Sequence, residues 1–355
     1  MDINYKQFIF AREYRGLSQS ELAKNIKGLS QSNLSKFEKG LGSLSDEVIL
    51  KIVDYLKFPK GFYRKRVYNI VENAHYRTKS ITKKQRSDIE YSDKLIGYII
   101  DEMSESVEFP EMRLRQINIE DGFSPTKIAQ YTRKYMGLTD EPVKDICGLL
   151  EDYGIIIVEV DNEVDLFDGV SFTTDNGYYV MVINRNFSND HKRFTIAHEL
   201  GHIIIHLSPN FLISDFRDKE KEAHEFASEF LMPSDYIYNS LRYLKLASLG
   251  ELKRYWLTSM SSIVKRASDL KAINRDRAKY FFIELSRRGY RKKEPIDVYI
   301  DKPSLFNQAY LLHKNELNYS DEELAESFCL PIDVIDRFMK LNTPKVKMRV
   351  ISKQA

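Results

Sequence analysis

The chain has 355 residues, 43% of them hydrophobic and 30% charged, which is the balance of a soluble globular protein with room for two or three domains. No apolar run approaches the length of a membrane span, and the opening MDINYKQFIF lacks the apolar stretch of a secretion signal. The two cysteines, Cys147 and Cys329, have no metal spacing, which excludes a thiolate zinc site and suits a reducing, cytoplasmic location. Net charge is only +2, but it is unevenly spread. Residues 1–90 carry 18 Lys and Arg against 10 Asp and Glu, whereas residues 91–170 carry 7 against 18. A polyanion partner at the N-terminal end alone fits that distribution, as do solvated helix faces.

Residues 5–57 read as short amphipathic helices separated by tight turns. In LSQSELAKNIKGLSQSNLSKFEKGLGSLS, Ser18 is a good N-cap, and Glu21 completes a capping box. Leu22, Ala23 and Ile26 form the inner face of the first helix. Ser30 caps the second, which turns Leu34 and Phe37 inward and ends at Gly40. Its outward face, Gln31, Ser32, Asn33, Ser35 and Lys36, is rich in side chains that hydrogen-bond base edges and phosphates. The pattern resembles the Cro/C1-type (XRE) helix-turn-helix. That resemblance implies a double-stranded DNA operator, a homodimer reading paired half-sites, groove contacts from these five residues, and phosphate contacts from Gln19 and Arg12.

A basic connector follows, RKRVYNIVENAHYRTKSITKKQR, with helix-like residues to about 103. The stretch from Glu105 to Pro125 reads as the principal linker, with two prolines and mixed charge. PTKIAQYTRKYMG and PVKDICGLLEDYG read as helices, each opening with proline near its first turn and closing on glycine. IIIVEV, FDGVSFTT and YYVMVIN read as strands, and the pattern is helical from Lys219 almost to the end. In LNYSDEELAESFCLPIDVIDRFMKL the helix–turn–helix rhythm returns with acidic Asp321, Glu322, Glu323 and Glu326 outward, a packing or dimerisation element rather than a phosphate reader. The expected fold is mostly α, with an all-α N-terminal helix-turn-helix domain at 1–66 and a helical connector and linker at 67–120. An α+β domain at 121–235 and a C-terminal helical region at 236–355 complete it.

RFTIAHELGHIIIHL sets His198, His202 and His206 four residues apart inside an apolar run, with Glu199 beside the first. Buried imidazoles need partners, and helical residues four apart share a face, so His198 and His202 can reach one metal ion. Glu199 projects beside that pair, placed to take a proton from a water activated by the metal. Zinc is the metal such a set suits. A third protein ligand is still needed, and Ser208 occupies the place where a metzincin has its further histidine. Glu220, eighteen residues after His202, stands where a second helix can return alongside. It is assigned as third ligand, with His224 as a supporting partner or substitute ligand, and Glu222 pointing away from their shared face. His206 can hydrogen-bond a ligand, stabilise a transition state or be a satisfied core histidine. Asp168, Tyr178 and Tyr179 flank the site without an assigned role.

RFTIAHELGHIIIH followed by EKEAHEFASEFLMP resembles the ImmA/IrrE family of zinc metallopeptidases, over about residues 120–290. The matching positions are His198, Glu199 and His202, then Glu220, Ala223, His224, Phe226, Ala227, Leu231, Met232 and Pro233. His224 stands where many members have Asn. The resemblance implies that the α+β domain is a zincin-like metallopeptidase domain. It also implies a transcriptional regulator whose zinc endopeptidase cleaves a protein partner such as a repressor or antitoxin, in response to stress or a mobile element. Two further readings stay open: a transcription factor whose peptidase-like domain only senses a ligand or metal, and a defence component acting through protein contacts.

Overall fold

The computed structural model describes residues 4–65, 83–161 and 167–339; most of the basic connector, 66–82, lies outside them. At the N-terminus, α1 (Tyr5–Tyr14), α2 (Gln19–Asn25), α3 (Gln31–Glu38) and α4 (Asp46–Leu56) follow one another through tight turns. Side-chain caps explain the boundaries. Ser18 accepts from Glu21 N while Glu21 accepts from Ser18 N, and the Ser30 and Ser45 side chains cap α3 and α4 by accepting from Asn33 N and Val48 N. Phe8, Leu22, Leu34, Ile52 and Leu56 meet in the centre of this unit. The DNA-contact expectation for Arg12 fails, because that side chain is buried. Its Nε and Nη2 donate to both carboxylate oxygens of Glu38, at 2.6 and 2.8 Å.

After α5 (Lys83–Ser104), the stretch read as a linker is a packed, extended strap. Phe109 and Leu114 are buried, Arg113 N donates to Tyr153 O, and Ile117 N donates to Ile204 O. Gly154, at φ +86°, is what admits the strap, since a Cβ there would meet the Glu111 carbonyl oxygen at 2.1 Å. Then come α6 (Pro125–Tyr135) and α7 (Ile146–Asp152). Pro125 occupies the first turn of α6 as expected, but α7 begins four residues after Pro142, with Asp145 as its N-cap residue. The carboxylate of Asp301 accepts from Cys147 N and Gly148 N instead, satisfying donors that open the helix.

Three strands, β1 (Ile155–Val160), β2 (Gly169–Thr173) and β3 (Tyr179–Asn184), form a mixed sheet in the order β1-β3-β2. β1 runs parallel to β3, with Ile155 opposite Tyr179, and β2 runs antiparallel, with Ser171 opposite Met181. Both faces are covered, which is why the strands are apolar almost throughout. Ile155, Ile157, Met181 and Ile183 enter one core with α8 (Asn189–Ile205) and α9 (Lys219–Leu231). That core continues through α10 (Ser234–Arg242), α11 (Leu249–Trp256), α12 (Met260–Asp269) and α13 (Arg275–Arg287). Ile156, Val158, Val170, Phe172, Val180 and Val182 enter the other, with α5, the N-terminal unit, α14 (Leu305–Asn315), α15 (Asp321–Ser327) and α16 (Ile332–Met339). The architecture is therefore mostly helical around one small sheet.

The acidic C-terminal helix pair packs within the chain. Asp333 forms an ion pair with Arg15, Tyr98 Oη donates to Phe328 O at 2.5 Å, and a Cβ on Gly61 would meet Cys329 Sγ at 2.5 Å. Both cysteines are free. No helix among the described residues is long and apolar enough to cross a membrane.

The Arg12–Glu38 pair sets a test of the N-terminal unit. Glu38→Ala strands a buried guanidinium that keeps only Glu13 and the Leu17 carbonyl as partners. The expected cost is about 3 kcal/mol, at the lower end for broken buried pairs, read as a lowered midpoint in urea unfolding. A midpoint equal to wild type refutes the role given to the pair.

Candidate metal centre and DNA-facing helix

The metal-site residues come from two helices and one strand. α8 leaves the sheet directly after β3 and crosses β2, whose residues beneath it are small. A Cβ on Gly169 would meet Thr195 Cγ2 at 2.7 Å, and Ser171 lies under Glu199. α9 returns against α8 at Gly201, where a Cβ would lie 3.1 Å from Ala223 Cα and 3.3 Å from Ala223 O. Glycine here is a packing requirement, because it lets the α9 backbone come close enough for Glu220 to reach the histidine pair.

Three groups converge. His198 Nε2 and His202 Nε2 lie 3.1 Å apart, and Glu220 places Oε2 3.4 Å from the first and Oε1 3.3 Å from the second. Zinc bonds of about 2.0–2.1 Å at tetrahedral angles set donors roughly 3.3 Å from one another, so the residues present fit that ion. Among the described residues this is the one cluster of three His, Cys, Asp or Glu groups spaced to hold a metal. Burial drives His202 down to about 3, even against the pull of Glu220, so its ring is neutral and offers a lone pair. In Glu220, burial pushes the carboxyl up, but the close His198 and His202 rings outweigh it and hold the group well below the usual range.

Glu199 is buried and accepts a 2.6 Å hydrogen bond from Ser171 Oγ. Burial pushes its carboxyl up to about 7; the His198 ring and the Ser171 hydroxyl pull the other way, and the Glu220 and Asp168 carboxylates add to the rise. A carboxyl so placed can both take and give a proton near neutral pH.

The remaining candidates separate. His206 Nδ1 lies 3.0 Å from His202 Nδ1, so it contacts one member of the cluster, and its Nε2 lies 2.9 Å from Glu222 Oε2. Glu222 is expected to point away from the Glu220 face; its carboxylate meets His206, a partnership the sequence pattern does not reveal. His224 lies outside the metal cluster, with its ring 4.9 Å from that of Phe194. Tyr178 packs on Phe109, Tyr179 Oη donates to Gln116, and Asp168 pairs with His191 at 3.2 Å. Ser171, Glu222 and Glu229 were missed by sequence reasoning. Glu229 accepts from Ser234 N and pairs with Arg266, fixing the turn at Met232 and Pro233. The acidic i+2 spacing from Glu220 and the serine alternating inward on a strand were the available signals.

At the other end of the chain, Gln31, Ser32, Asn33 and Lys36 are exposed on α3, and Ser35 is half-buried. Gln31 Nε2 donates to Gln19 Oε1 at 2.9 Å, and Gln19 Nε2 donates to Glu38 Oε2 at 2.6 Å. Gln19 is thus held between the buried ion pair and the start of α3, which fixes the orientation of the exposed amide.

A helical unit with a polar second helix and an HExxH centre under a small sheet together define a DNA-binding regulator joined to a metallopeptidase-type domain. Residues 10–61 match the helix-turn-helix family model, and residues 150–268 match the model of the IrrE N-terminal-like domain. The chain carries both, as an XRE-type helix-turn-helix and an ImmA/IrrE-like domain. No curated protein and no solved structure matches it.

Gly201→Val tests the helix crossing. Extra methyl groups at a 3.1 Å contact force α9 outward, costing about 1–3 kcal/mol, and move Glu220 off the histidines. The expected result is a lower melting temperature together with weaker zinc retention against a chelator. Unchanged retention sinks the claim that this crossing sets the site.

Proposed function

We propose that the chain is a DNA-bound transcriptional regulator carrying a zinc-dependent endopeptidase, which cleaves a protein partner of the repressor or antitoxin kind. It acts in the cytoplasm as a homodimer on an operator with paired half-sites. The observation that carries the reading is the separation of His198, His202 and Glu220 donors by 3.1–3.4 Å beside a buried carboxyl.

His198, His202 and Glu220 would hold the ion. Zinc supplies Lewis-acid polarisation of a carbonyl and lowers the pKa of water toward neutrality. The Ser171 hydroxyl fixes the rotamer of Glu199, whose carboxylate takes the proton of the attacking water and returns it to the leaving amine. β2, which carries Ser171, is an edge strand of the sheet among the described residues, and an extended peptide can pair with such an edge. Gln31, Ser32, Asn33, Ser35 and Lys36 enter the major groove, with Gln19 held beside them.

A second reading has one observation in its favour. The N-terminal unit shares a continuous core with one face of the sheet, an arrangement suited to a regulator that senses a metal or ligand without proteolysis.

Glu199→Gln separates the two. The expected outcome is full zinc content with cleavage abolished, read by metal analysis and by comparing the proteomes of cells expressing each form. If the variant keeps full biological activity, the peptidase reading fails and the sensor stands. For the DNA end, changing Asn33 and Lys36 to Ala should cost about 1–3 kcal/mol per lost base contact in operator binding. Binding that survives both changes refutes these residues as readers.

A further inference from the structure

Behind the metal cluster a line of polar side chains leads away through otherwise apolar packing. His202 Nδ1 faces His206 Nδ1 at 3.0 Å, and His206 Nε2 faces Glu222 Oε2 at 2.9 Å. Glu222 Oε1 accepts from Arg217 Nε at 2.8 Å and Nη2 at 2.7 Å, and Arg217 Nη1 pairs with Glu120 at 3.5 Å. The His206 side chain is 0% exposed and Glu222 only 13%. One arrangement of protons satisfies the whole line. A His202 that offers its Nε2 lone pair to the metal carries its proton on Nδ1. That proton is donated to Nδ1 of His206, which must then carry its own proton on Nε2 and donate it to Glu222. Reversing the line would leave His202 Nε2 protonated, pointing an N–H at the cluster. A buried ring without this carboxylate would choose between the two states freely.

We propose that His206 and Glu222 are positioning residues that lock His202 in its metal-binding tautomer and orientation, with Arg217 holding Glu222 in place. The inference rests on the zinc reading above and deepens it. Second partners of this kind typically change metal affinity by about 10–100-fold.

The test uses the full chain and measures zinc affinity by competition with a chromophoric chelator, with Co2+ absorption as a spectroscopic check of the ligand field. His206→Leu removes the acceptor and should weaken zinc binding about 10–100-fold and shift the Co2+ bands. His206→Asn, whose Oδ1 stands where Nδ1 stood, should retain most of the affinity. Glu222→Gln should weaken binding by about 10-fold, and adding it to His206→Leu should cost nothing more, since the line is already cut. A folded leucine variant that binds zinc as wild type does overturns the relay, and so does equal loss in the leucine and asparagine variants. Should the leucine variant fail to fold, Glu222→Gln carries the test, and unchanged affinity there overturns it. Wild-type protein without zinc removes the metal reading itself and the relay with it.

Discussion

The approach of α9 onto α8 at Gly201 is the constraint on which the candidate metal centre depends. Two histidines one turn apart are easily supplied by one helix, because the helical repeat alone puts them on one face. The third donor must come from elsewhere in the chain, and its arrival is a packing problem. Here it is solved by a residue without a side chain set against Ala223, with Phe226, Ala227 and Phe230 filling the space behind. Small residues do the same on the opposite side of α8, where Gly169 and Ser171 let the helix settle onto β2. The reactive groups are polar, but their geometry is set by van der Waals contact.

A second theme is the way buried charges are used. Glu229 with Arg266, Lys253 with Asp190 and Glu294, and Arg12 with Glu38 are all paired away from water. Each also satisfies backbone donors or fixes a neighbouring amide, as Glu294 does for Met260 N and Glu229 for Ser234 N. Such groups add little net stability compared with apolar packing, but they penalise every arrangement in which a partner is lost. They cluster at the turns that aim α9, α12 and α3, the elements whose direction matters to the two ends of the molecule.

How much of this was legible in the sequence follows from the range of each interaction. Caps at Ser18 and Ser30 act over three residues, so local pattern reveals them. The three strands and the HExxH helix declare themselves by period and length. Glu220 was reachable by combining spacing with the return of a helix. The role of Glu222 was not, because it depends on the rotation of α9 about its axis relative to His206. The stretch from Glu105 to Pro125 misled for a related reason. Its prolines and mixed charges describe a chain that cannot be a helix, and nothing local says that Gly154, some forty residues on, opens a groove to receive it. Arg12 misled because a basic residue beside a polar helix gives no sign of the glutamate, twenty-six residues later, that buries it.

The shared core also bears on modularity. Phe10 and Phe62 of the N-terminal unit have edge-to-face contacts with Tyr91 and Tyr98, which belong to α5, and α5 in turn holds the β2–β3 turn through Asp101. Helix-turn-helix units are commonly treated as interchangeable heads on a tether. This one is built into the wall of its neighbour. Grafting it onto another protein, or exchanging it for a homologous reader of different operator preference, would leave aromatic rings wet on both sides of the seam. If α3 reads the operator as proposed, changes in sequence preference would arise by substitutions on its exposed face, with the underside of the unit left as it is.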